Sequence, residues 1–225
     1  MGRKVKGARG VSIIGGADGP TSVFILSKNK KMTLKQRIHK WKYQRRKTWF
    51  EKHIVAGSHT MDEVCQYVQK ELGYTAVSFD DEEYQRMYKE MRSSFIMQFA
   101  PELLGEYQDA PRLKSHSEED VKHFMEELDV RQRVAQEVPK DIFDIEYHCF
   151  RKQIDATKYE ICIEKRFGYI GGGYIGGGAN RKSKKLAKQF GDEFKKVYQY
   201  YGVTQEDIDN KSKRYEELLR TLAMR

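Results

Sequence analysis

The sequence predicts a soluble α+β protein, dominated by helices and carrying a small antiparallel sheet built from hairpins. Charged residues make up 33% of the 225, mean hydropathy is -0.80, and no run of about 18 apolar residues is present to span a bilayer. From residue 33 onward most apolar positions recur at helical spacing, whereas 145–150 and 158–170 alternate with period two. Together these observations place helices around a few short strands.

The elements follow in order, and they group as 1–31, 32–100, 101–116 and 117–225. In the first group, Val11 to Ile14 and Ser22 to Leu26 are β-branched runs either side of a Gly-Gly-Ala-Asp-Gly-Pro turn, the pattern of a hairpin. In the second, an amphipathic basic helix covers about 33–53, with Leu34, Ile38, Trp41 and Trp49 on one stripe and Lys and Arg around it. Gly57 and Ser58 end that helix. Thr60 with Glu63 forms a capping box for the next, which carries Val64, Tyr67, Val68 and Leu72 and stops at Gly73. YTAVSF, 74–79, reads as a strand. Asp80 or Asp81 caps a helix bearing Tyr84, Tyr88, Met91, Phe95 and Phe99, which Pro101 stops.

Residues 101–116 hold two prolines and no period, so they read as a linker loop and the expected subdomain boundary. Ser117 opens a further helix with Val121, Phe124, Met125 and Leu128 inward. Ile145, Tyr147 and Cys149 then share one strand face, as do Tyr159, Ile161, Ile163 and Phe167, joined by a turn at 154–157. A glycine tract precedes two closing helices, the second boxed by Thr204 and Asp207.

The opening segment MGRKVKGARG is basic, but the apolar stretch behind it is broken by Gly15, Gly16, Asp18 and Pro20, so no cleaved leader is expected. Cys65, Cys149 and Cys162 are odd in number and widely spaced, which argues against a secreted disulfide framework. Reduced, buried thiols and a cytoplasmic location are the expectation.

Charge is distributed unevenly. The whole chain carries +9, yet residues 1–53 hold 15 Lys and Arg against only Asp18 and Glu51, leaving 27 Lys and Arg against 31 Asp and Glu in the remainder. Such a front-loaded excess asks for a polyanion, nucleic acid or ribonucleoprotein first and an anionic membrane surface second. Within 33–53 the candidate contacts are Lys35, Arg37, Lys40, Lys42, Arg45, Arg46 and Lys47 for phosphates, with Trp41 or Trp49 for stacking. Half of that helix's aromatics are expected to face the core.

GGADGPT, followed by a β-branched apolar run, resembles the signature segment of the β subunits of sodium-ion-translocating decarboxylases. That resemblance, which covers residues 11–26, implies a cation site with Asp18 as ligand, Gly19 permitting close backbone approach and Thr21 offering an oxygen. It also implies an accessory role beside such a membrane complex, because this chain lacks the family's apolar spans. The residues themselves fit a structural hairpin better than a cation site, since one Asp and one Thr are too few oxygens for a hard cation.

A second glycine motif, YIGGGYIGGG at 169–178, places Gly171, Gly173 and Gly176 in a G-x-G-x-x-G spacing ahead of a helix beginning Arg181-Lys182. Glycine amides, a helix N-terminus and cations would attract a phosphate, making a nucleotide the candidate cofactor there, as sodium is at Asp18. The alternative is a flexible tether followed by a solvated basic helix face. Catalytic groups are not nominated. His148 and Cys149 are adjacent in a strand and point to opposite faces, no metal-ligand spacing links the six histidines to the cysteines, and Glu118, Glu119, Asp120, Glu126 and Glu127 read as a helix start and solvated face.

Three functions follow: a non-enzymatic cytoplasmic binder of nucleic acid or ribonucleoprotein, an accessory of a sodium-translocating decarboxylase, and a nucleotide- or phosphate-binding enzyme using 168–185. A further protein partner fits the first two. Oligomeric state is not legible from these patterns.

Overall fold

The computed structural model describes residues 9–13, 23–27, 33–113, 115, 117–175 and 181–224. The fold is α+β, rich in helix, with small antiparallel sheets, and among the described residues no helix is long and apolar enough to cross a membrane. The chain forms two compact units, one from 1–31 and 80–145, the other from 32–79 and 146–225. The divisions therefore fall at 31/32, where the sequence grouping also breaks, and at 79/80 and 145/146, whereas the prolines of 101–116 had marked the expected subdomain boundary. Pro101–Tyr107 is a 3-10 helix, with Pro at its first turn where a missing N–H costs nothing.

In the first unit, strand β1 (Arg9–Ile13) pairs antiparallel with β2 (Val23–Ser27) in the register Arg9 to Ser27 through Ile13 to Val23. Its remaining helices are α3 (Glu82–Phe99), capped by Asp81, and α4 (Glu118–Glu137), capped by Ser117. They close over Ile96, Leu104 and Ala135, with Val134, Val138 and Phe143 packed beside. Phe124 is buried on α4 as its spacing predicts, but Phe99 is 41% exposed, lying in the last turn before the chain bends away. Two buried arginines of that interior are bonded to backbone carbonyls. Arg92 donates to the carbonyls of Phe143 (2.8 Å), Val138 (2.5 Å) and Pro139 (2.8 Å), and Arg131 to those of Tyr107 (2.8 Å) and Gln108 (2.9 Å), so each guanidinium closes a chain end that a helix cannot satisfy alone.

The second unit is built on a four-stranded antiparallel sheet in the order β4 (Thr75–Ala76), β5 (Tyr147–Ile154), β6 (Thr157–Glu164), β7 (Tyr169–Ile175). The turn between β5 and β6 places Asp155 at φ 52, a left-handed position that Asp tolerates. Only two residues of the expected 74–79 strand pair, against Arg151 and Phe150 at the sheet edge. Helices α1 (Leu34–Glu51), α2 (Met61–Lys70), α5 (Arg181–Tyr201), α6 (Gln205–Asn210) and α7 (Lys213–Ala223) cover it, and a short pair β3 (Gly57–Ser58) with β8 (Gly202–Val203) ties the end of α5 to the segment before α2. The core gathers Val64, Val68, Tyr159, Ile161, Ile163, Val197, Val203 and Leu219, all at 2% exposure or less.

Capping boxes at Thr60 with Glu63 and Thr204 with Asp207 are present as predicted. The second box opens only a short helix, because Lys211 turns left-handed (φ 48) and Ser212 caps α7 afresh, so the expected closing helix is two. The glycine tract, read as a loop or tether, is a strand through Ile175. Gly171 faces Cys162 and Gly173 faces Glu160 in the β6 register. A Cβ on Gly172 would stand 2.7 Å from the Glu160 carbonyl and 3.1 to 3.2 Å from the Phe194 and Phe190 rings, so glycine here lets α5 lie close on the sheet.

Candidate nucleic-acid interface

Helix α1 begins with a reciprocal cap in which the Gln36 amide donates to Thr33 Oγ1 (3.3 Å) and the Thr33 amide to Gln36 Oε1 (2.8 Å). It closes with the Ile54 amide on the Phe50 carbonyl (2.9 Å) and His53 Nδ1–H on the Trp49 carbonyl (2.6 Å). Between these ends the helix runs against α7. Tyr43, Arg46, Lys47 and Phe50 turn partly inward, and Phe50 and Ile54 pack on the core.

The opposite face is open. Leu34 is 73% exposed, Ile38 43%, Trp41 58% and Trp49 54%. These four form the stripe that the sequence period picks out, so the helix's larger apolar residues point to water while Tyr43 and Phe50 anchor it. A shallow groove of about 410 Å3 lies along this face, lined by Trp41, Gln44, Arg45, Thr48, Trp49 and Lys52. The Arg45 guanidinium sits 5.4 Å from the Trp41 ring centroid, within cation-π range. Trp49 is backed by His53, parallel to within 13° at 4.1 Å, and met edge-on by Phe50 at 5.0 Å.

Among the described residues, none of Lys35, Arg37, Lys40, Lys42, Arg45, Arg46 and Lys47 has a carboxylate within 4.0 Å. Their charge is thus not met by a direct ion pair among the described residues. Arg46 keeps Nε buried and unpartnered. Burial holds the Lys195 amine of α5 below its ordinary value; the nearby Asp192 charge opposes that shift, and the charges of Arg46 and Lys188 add to it. Two elements of this unit therefore crowd positive charge together, an arrangement that an anion relieves.

Sequence reasoning named the cations and both tryptophans but passed over Gln44, Thr48, Lys52 and His53. Their signal was available: Gln44, Lys52 and His53 lie three or four residues from Trp41 or Trp49, the spacing that makes helix neighbours, and Thr48 lies seven from Trp41, two turns along the same face.

The other candidates stand apart from this face. Asp18, Gly19 and Thr21 of the GGADGPT segment, and Gly176 of the glycine tract, lie outside the described residues. Gly171 and Gly173 are paired with Cys162 and Glu160 within β7, and Lys182 Nζ is engaged by the Asp155 carboxylate at 3.0 Å. Arg181 is the first residue of α5. Cys149 is buried, its Sγ 3.7 Å from that of Cys162 on the neighbouring strand, while His148 turns to the Glu146 carboxylate (3.6 Å). Among the described residues no group of three His, Cys, Asp or Glu is placed to hold a metal. Comparison of the chain with protein-family models, with characterised proteins and with solved structures finds no match.

Proposed function

We propose that the protein is a non-enzymatic cytoplasmic binding protein that engages nucleic acid, free or within a ribonucleoprotein, through α1. The observation that carries this reading is the coincidence on one helix of two solvent-facing indoles with cations that, among the described residues, have no carboxylate within 4.0 Å. Lysines and arginines that neutralise phosphates displace the counterions condensed on the nucleic acid, and the release of those counterions drives association. Exposed rings among them add contact area that a purely electrostatic surface would lack.

Fluorescence anisotropy with end-labelled oligonucleotides across a salt series tests the reading. Affinity is expected to fall steeply and log-linearly with salt, and Lys40→Gln, Lys42→Gln and Arg45→Gln together are expected to reduce the slope by about 2 to 3. Binding that is absent at low salt, or indifferent to salt, overturns it.

A further inference from the structure

Resting on nucleic-acid binding at α1, we infer that the ligand is single-stranded and that two of its bases stack on Trp41 and Trp49. The tryptophans are eight residues apart on the helix. At about 1.5 Å per residue that is about 12 Å, against about 3.4 Å between stacked bases of one strand. The two rings therefore receive bases that are splayed out and not adjacent, with the intervening phosphates running over the groove that Arg45 and Lys52 line.

A duplex can meet the cations of this surface but cannot stack on its rings. Its base faces are covered by their neighbours, and it offers protein only base edges and phosphates, which indoles do not read. Trp49 is also prepared for stacking before any ligand arrives. His53 covers one of its faces and Phe50 fixes its edge, so the ring is held by contacts on the protein side and remains 54% exposed. Little ordering is left for the ligand to impose, which raises affinity.

A membrane surface would also attract cations and tryptophans on a helix, but such a helix buries an unbroken apolar face into the acyl boundary. Here Gln44, Arg45, Thr48 and Lys52 interrupt the apolar stripe between and beside the rings. Charge threaded through the ring face suits a phosphate chain with bases, and it bars deep insertion.

Trp41 and Trp49 are the only tryptophans, so tryptophan emission from the intact protein reports on this site alone. The protein is titrated with oligothymidylate, with a duplex of equal length, with inorganic polyphosphate and with phosphatidylserine vesicles. Oligothymidylate is expected to quench strongly and to bind more tightly than the duplex, polyphosphate to leave emission nearly unchanged, and vesicles to give no blue shift. Trp41→Ala and Trp49→Ala, both at exposed positions, are each expected to weaken oligothymidylate binding by roughly 5- to 150-fold. The thermal midpoint is expected to stay within a few degrees, and Trp→Phe to recover part of the loss.

Equal quenching by polyphosphate, unchanged affinity in both alanine variants, or a vesicle blue shift without an oligothymidylate response overturns the inference. If a salt-dependent duplex affinity survives such a result, nucleic-acid binding at α1 stands without stacking. If no nucleic acid binds at any salt, both fall.

Discussion

Glu164 shows how single residues hold this protein together. It is wholly buried at the end of β6, and its carboxylate accepts the amides of Phe167 (2.7 Å), Glu146 (2.9 Å) and Arg166 (3.2 Å), closing the turn into β7. Glu164→Ala strands those donors and is expected to cost about 2 to 3 kcal/mol in chemical denaturation, with Glu164→Gln losing less because one acceptor remains. In the first unit, burial opposes ionisation of Asp144, but hydrogen bonds from the Tyr88 hydroxyl and the Ile145 amide, with the Lys140 and Arg92 charges, hold its carboxyl below the ordinary 3.8. A carboxylate lowered in this way stabilises the fold in full above about pH 4 and loses that contribution as pH falls through the lowered value. Asp144→Asn is therefore expected to lower stability at neutral pH and to flatten its decline in acid, read from urea midpoints across pH. Burial also pushes the Cys65 thiol up to about 11, and Cys149 is raised too, first by its hydrogen bond with Cys162 and then by burial. Thiol reagents at about pH 8 are thus expected to label the folded protein far more slowly than the urea-unfolded one. The local caps at Thr60 and Thr204 were legible in sequence because cap and partner are three residues apart. Glu164, Arg92 and Arg131 were not, because the groups they satisfy arrive from other turns and helices.

At the scale of elements, two glycines separate what the chain needs from what it merely contains. Gly202 sits at φ +60 with the position of its missing Cβ taken by the Gly57 carbonyl, so Gly202→Ala both strains the backbone and pushes β8 off β3. An expected loss of more than about 2 kcal/mol in thermal or chemical unfolding checks this. Gly173 has open space around its Cβ position, and Gly173→Ala is expected to be nearly silent, while Gly172→Ala displaces α5. The part of the tandem repeat that pairs, 169–175, looked like a loop because glycine is depleted in strands, and the packing of Phe190 and Phe194 that rewards it comes from a helix further along. For a related reason the break at Lys211 is invisible in the period: Ile208, Tyr215 and Leu218 keep helical spacing across it, yet Ser212 donates to Asp207 Oδ1 (2.5 Å) and restarts the helix. The basic helix was the opposite case. Its stripe and its cations were both legible, and only the direction in which the stripe points had to come from the structure.

For the whole molecule, the charge asymmetry between 1–53 and the rest could be counted from the sequence, whereas the division into units could not. Strand β4 finds its partner in β5, so residues 80–145 form an excursion that leaves and re-enters at neighbouring strands, with the Val77 amide donating to the Cys149 carbonyl (2.9 Å) beside the junction. Composition marks prolines, not pairing across a long insertion, which is why 101–116 drew the boundary to itself. Replacing 80–145 with a short Gly-Ser linker is expected to leave a cooperatively unfolding protein that retains salt-dependent polyanion binding at α1. A product with no unfolding transition would show that the second unit depends on the first. The same interleaving sets an order on biosynthesis. Helix α7, against which α1 packs, is made some 160 residues after it, so a growing chain must carry an unseated, strongly cationic segment over that whole interval. Until residues 213–223 emerge, that segment is free to cling to the anionic surface of the machinery producing it.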